Sequence, residues 1–183
     1  SIHEFSQKDH FVVPFANQER SLNAMSSVGT LFSIVSRISQ SVASTEWCLF
    51  RTSSDGRRNT ATTPRPRTEL TKHPALHVWN HPNKFMSRQL FVEIISQHIE
   101  LVGESFWLPA QDSTFAFPVE LWPIRPDKML EVPSATDFLA GWIYVGPGGE
   151  RVPLGVNEVI QLKSPNPENI YRGMGAVQSI LMD

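Results

Sequence analysis

A single cysteine, Cys48, leaves this 183-residue chain without an internal disulfide, which fits a reducing compartment. No apolar run approaches the ~20 residues of a membrane-crossing helix, and the opening "SIHEFSQKDH" lacks the basic-then-apolar order of a secretion signal. The chain therefore reads as soluble and non-secreted, with no membrane partner. Charge is also scarce: a net charge of -2 gives no general pull toward nucleic acid. Catalytic signatures are missing as well. There is no Gly-x-Ser-x-Gly elbow, and "GPGGE" at 146–150 has no Lys-Ser/Thr behind its glycines to cradle a phosphate. The reading is of a non-enzyme without cofactor.

What the chain does have is enough apolar material, 40% of its residues with five tryptophans, for a real core. Residues 1–20 show no sustained period and read as a flexible arm. Val28, Leu31, Val35, Ile38 and Val42 then recur at steps of three and four, the stripe of an amphipathic helix. "EWCLFRT" follows as a strand beginning near Trp47, where Cys48 is expected to be buried and inert. A second helix starts behind Ser87 as N-cap, runs through Leu90, Phe91, Ile94, Ile95, His98, Leu101 and Val102, and stops at Gly103. Glu93, Glu100 and Glu104 on or near it read as solvated.

Beyond Gly103 the chain reads as β: "ESFWLPA", "FPVELWPI", "KMLEVP", "AGWIYV" and "NEVIQLK", with "GPGG" as a hairpin turn before "ERVPL". The fold class is α+β, two amphipathic helices on a mostly antiparallel sheet, forming one domain over 21–183. Trp107, Trp122 and Trp142 are expected to share one sheet face. The final "RGMGAVQSILMD" resembles a helix cut short, so the chain reads as truncated at its C-terminal end.

Two places invite functional readings. Arg51 to Lys72 carries six Lys/Arg against Asp55 and Glu69, and residues 53–72 read as a mobile basic loop. Arg57, Arg58, Arg65 and Arg67 are its candidates for weak phosphate contacts. His73, His77 and His81 fall at four-residue steps and suggest a metal-dependent hydrolase as the alternative function, but Pro74 and Pro82 break the helix that would align them. A metal site is not expected. In "ELWPIRPDKMLEV", Pro123 and Pro126 exclude one uninterrupted central strand, so they mark a corner between a strand ending at Ile124 and one beginning near Lys128. Arg125 then points to solvent or to a neighbouring subunit.

The order of segments resembles the N-terminal half of portal proteins from long-tailed double-stranded DNA bacteriophages and related prophages. Val42, Ala43 and Ser44 match the family's first helix-to-strand junction, with Glu46 near its usual proline. His73, Pro74, Asn80, Pro82, Asn83 and Gly103 match its turn, helix and strand start, with Glu104 in place of a frequent Asn. "ELWPIRPDKMLEV" and "NEVIQLKSPNPENIYRGMGAVQSI" are similar to two later elements, with Gln161 and Ala176 departing from common residues. The resemblance implies the wing-like region of a subunit in a ring of about twelve copies at a capsid vertex. It further implies that DNA is packaged and ejected through the ring, that terminase, head-completion and capsid or scaffold proteins dock on it, and that most DNA-contacting surface lies outside this stretch. Localisation would be the virion, and the bacterial host cytoplasm during assembly.

Overall fold

The computed structural model describes residues 16–52, 67–111 and 117–177. Two helices come first, α1 (Ala16–Ser27) and α2 (Gly29–Ala43), then a short ribbon of β1 (Phe50–Thr52) and β2 (Arg67–Glu69). Next come α3 (Pro74–Asn80), α4 (Arg88–Val102), β3 (Glu104–Gln111), β4 (Pro118–Ile124), a 3-10 turn at Pro126–Lys128, β5 (Met129–Pro133), β6 (Leu139–Val145), β7 (Arg151–Gly155), a second 3-10 turn at Val156–Glu158 and β8 (Ile160–Lys163). This is the expected α+β class, and every strand pair among the described residues is antiparallel.

The layers follow from burial. One sheet, in the order β4-β3-β8, stacks on a second, β5-β6-β7, through Phe106, Met129, Trp142 and Val159. The other face of the first sheet receives α4, where Phe91, Val92 and Ile95 meet Leu121 and Trp107. Helix α2 lies outside α4, and Val35, Leu101, Val102 and Val177 fill the space between them with Leu22 and Met25 of α1. Prolines occupy the places a sheet tolerates. Pro123 lies on edge strand β4, Pro153 on edge strand β7 and Pro133 at a register shift, while Pro109 of central β3 stands beyond the four residues that pair with β8.

Local signals place α4 well. The Ser87 hydroxyl accepts from the Leu90 amide at 3.2 Å, and Gly103 ends the helix at φ 77°, its N–H donating to the Ile99 carbonyl at 2.8 Å. The buried Asn83 side chain caps the preceding turn: it donates to the Leu121 carbonyl at 2.9 Å and accepts from the Phe85 amide at 2.9 Å. The "GPGG" turn joins β6 to β7 as expected, closed by Gly146 N–H to the Glu150 carbonyl at 2.8 Å.

Several expectations are corrected. Ala16 to Arg20 belong to α1, so the helix begins inside the segment read as a flexible arm; residues 1–15 lie outside the described residues. Arg67 to Glu69 of the expected 53–72 loop form β2, with Arg67 opposite Thr52; residues 53–66 lie outside the described residues. The strand after α2 starts at Phe50 rather than near Trp47, leaving Cys48 exposed in irregular chain. Neighbouring groups that desolvate the thiol, then the Glu69 and Glu46 carboxylates, raise its pKa above the ordinary value. The three tryptophans do not share a face. Trp107 packs against Phe91 and Trp79 beneath α4, Trp122 lies against Phe85, and Trp142 stacks edge-on with Phe106 between the sheets.

Candidate functional site

The histidines are helix punctuation. His73 is the N-cap of α3, its Nδ1 accepting from the Ala75 amide at 3.2 Å, and Pro74 occupies the first turn, where a missing N–H costs nothing. His81 is the C-cap and leaves helical geometry, as a residue before proline must. His77 and His81 rings lie 5.1 Å apart, whereas His73 turns its edge to Phe117. No group of three His, Cys, Asp or Glu side chains poised to hold a metal occurs among the described residues. The hydrolase alternative has no support.

The corner at 124–129 is built by Arg125 itself. β4 ends at Ile124, the 3-10 turn takes Pro126 to Lys128, and β5 starts at Met129. Arg125 reaches over the turn to grip Asp127 with two bonds, Nε to Oδ1 at 2.9 Å and Nη2 to Oδ2 at 3.0 Å. The Asp127 carboxylate is buried and the Arg125 side chain remains 48% exposed. This hydrogen bonding holds the guanidinium pKa above its ordinary value. Beneath the corner, His98 of α4 is buried and its Nδ1 has no partner among the described residues. Burial, and then the nearby Arg125 charge, push its pKa down to about 4, against a smaller upward pull from Asp127.

The most saturated polar site is one that sequence reasoning missed. Glu104 was read as solvated; it is fully buried, at the junction of α4 and β3. Its Oε1 accepts from Arg172 Nε at 2.8 Å and Gln18 Nε2 at 2.7 Å, and its Oε2 from Gln161 Nε2 at 2.9 Å and the Gly173 amide at 3.1 Å. Arg172 uses all five of its N–H donors: the others go to the Met129 and Pro126 carbonyls, Glu131 Oε2 and Gln18 Oε1. Its guanidinium also lies 5.6 Å from the centre of the Phe106 ring.

One ion pair thus ties α1, β3, β5, β8, the Arg125 corner and the C-terminal segment. That segment crosses Gly103 backbone on backbone. A Cβ on Gly103 would stand 2.1 Å from the Met174 carbonyl carbon, one on Gly173 2.0 Å from the Gly103 oxygen, and one on Gly175 2.6 Å from the Gly103 nitrogen. Gln161 and Glu104, two of the residues that depart from the resembled family's pattern, therefore touch each other. The only sequence sign of this site was an acidic residue in a strand that alternates otherwise apolar positions.

Of the remaining sequence candidates, Arg67 is exposed on β2, and Arg57, Arg58 and Arg65 lie outside the described residues. Arg125 shares the Asp127 carboxylate with Lys128, whose Nζ lies 3.8 Å from Oδ2.

Helices on one face of a two-layer antiparallel sheet, braced by a buried and fully hydrogen-bonded ion pair, define an α+β domain. The sequence profile of the family described as "Phage portal protein" matches residues 29–181. The chain belongs to that family. No curated protein matches it. Among solved structures, a chain of the virion of a native gene transfer agent particle superposes with a TM-score of 0.72 at 17% identity, over 99% of this chain and 44% of that one. A chain from the neck of the native particle, computed with C12 symmetry, gives 0.74 at 17% identity over 98% and 44%. A third, from the neck of the empty particle computed with C6 symmetry, gives 0.72 at 18% over 99% and 45%. The chain spans less than half the length of these solved chains. No described helix is long and apolar enough to cross a membrane.

Proposed function

We propose that the chain is the wing-like region of a non-catalytic portal subunit, which assembles with about eleven further copies into a ring at one capsid vertex. Double-stranded DNA enters and leaves the capsid through the ring, and terminase and head-completion proteins dock on it. The observation that carries this reading is the family match over residues 29–181 on a fold shared with particle-neck chains, one of them resolved under twelve-fold averaging. In the virion the subunit sits at the neck, after assembly in the host cytoplasm.

The basic segment with Arg57, Arg58, Arg65 and Arg67 would add weak, salt-sensitive phosphate contacts, because it offers charge without interleaved aromatic stacking groups. Arg125, half-exposed and pre-oriented by Asp127, is suited to a contact with a neighbouring subunit. Deleting the gene in the producing cell tests the reading. Particles should then form without packaged DNA, and packaging should return when the gene is supplied in trans. DNA-filled particles in the deletion strain would refute it.

A further inference from the structure

We infer that the outward flank of α2 and the β1–β2 ribbon form the surface on which each copy receives the next copy of this chain, a claim that rests on the ring reading above. Helix α2 turns Val35, Ser39 and Ala43 inward. One step around the cylinder, Ile34, Ile38 and Val42 stand at four-residue intervals and are 54%, 38% and 39% exposed. Among the described residues the helix lies on the outside of the fold, yet its only charged residue is Arg37. A solvent-facing helix ordinarily carries charged side chains on such a flank.

The chain that follows continues the pattern. Trp47 stacks on Trp79 with centroids 4.9 Å apart but remains half-exposed, as does Phe50. Every residue of β1 and β2 is exposed, so among the described residues neither face of this ribbon is covered. An isolated two-stranded ribbon is marginal in water. It therefore fits a piece that becomes ordered against something.

A second copy is the occupant that these features favour. The α2 flank with Trp47 and Phe50 is apolar and has Arg37 as the one charge of its helix, which offers little to a phosphate backbone, whereas the ribbon adds Arg51 and Arg67 against Glu69. A cyclic assembly needs one surface of this kind on every subunit, engaged head to tail by a different surface of the neighbour. The five half-exposed side chains present much less than the roughly 800 Å² per partner of a self-sufficient interface. The contact should then hold within a closed ring and fail between isolated domains.

Cys48 lies between the stripe and the ribbon and supplies a probe that needs no mutation. The full-length protein would be treated with a maleimide as dilute monomer and as ring, and adducts at Cys48 quantified by mass spectrometry. Labelling should slow at least tenfold in the ring. The Ile34→Glu/Ile38→Glu variant should need at least tenfold more protein to assemble, measured by sedimentation, while Val152→Glu on edge strand β7 should assemble as wild type.

Equal labelling in both states, protection already complete in the monomer, or assembly of the double variant at the wild-type concentration would overturn the assignment, as would an equal defect from Val152→Glu. Should the double variant fail to fold by circular dichroism, the labelling comparison on wild-type protein decides alone. Wild-type protein that forms no closed ring at any concentration would refute the ring reading itself, an outcome distinct from intact rings with the wrong face buried.

Discussion

At the scale of single residues, the account turns on Glu104 and Arg172, 68 positions apart and joined at 2.8 Å. Both are buried and fully hydrogen-bonded, so removing one strands the other's charge in the core. Arg172→Met should lower the unfolding free energy by about 3–5 kcal/mol in urea titration, and adding Glu104→Gln should restore part of it. A single variant as stable as wild type would show that the pair is hydrated. His98 gives a pH-dependent test. The unfolded chain protonates this imidazole near the ordinary 6.5, and the folded chain only near about 4. The unfolded state therefore binds more protons in that window, and stability should fall by about 3 kcal/mol as pH drops through it, remaining complete above it. His98→Leu should flatten this slope in melts recorded from pH 7 to 4. These residues were poorly legible in the sequence for a physical reason. A lone Glu after a helix-stopping glycine looks solvated unless the Arg that neutralises it is known to arrive from the far end of the chain. Arg125 was legible only as an outward-pointing corner residue, from the prolines on either side of it, and its grip on Asp127 was not read.

At the scale of elements, legibility followed the strength of local chemistry. Helix α4 announces both ends through Ser87 and Gly103, and the β4–turn–β5 corner is dictated by two prolines that cannot serve an unbroken ladder. Helix α1 was missed because its buried positions are the small Ser21 and Ala24, with only Leu22 and Met25 as larger apolar side chains packed inward, too short a stripe to read as a period. The α2 stripe was legible as a helix but not as a surface, since Ile38 and Val42 proved half-exposed beside a core-facing Ser39. The glycines separate two kinds of demand. Gly149 has a left-handed φ of 84° with nothing near its missing Cβ, whereas Gly103 combines a φ of 77° with the backbone crossing at Met174. Gly149→Ala should cost about 1 kcal/mol, from backbone strain alone. Gly103→Ala must also displace the 173–175 segment, and should lower the melting temperature several times more. Equal shifts would mean that the crossing yields without strain.

At the scale of the whole molecule, a helical layer, two stacked sheets and a C-terminal strap form a body tied together by the buried Glu104–Arg172 pair. Residues 1–183 alone should stay monomeric or associate weakly, because the exposed contacts are too small to offset the entropy of association. The central claim is that the complete chain closes into a ring with this domain repeated around its axis. Electron microscopy of the full-length protein, with rotational symmetry determined from end-on views, tests it most directly. The account predicts closed rings of about twelve copies around an open channel, each containing this fold. Open filaments, dihedral particles or a monomer at every concentration would contradict it.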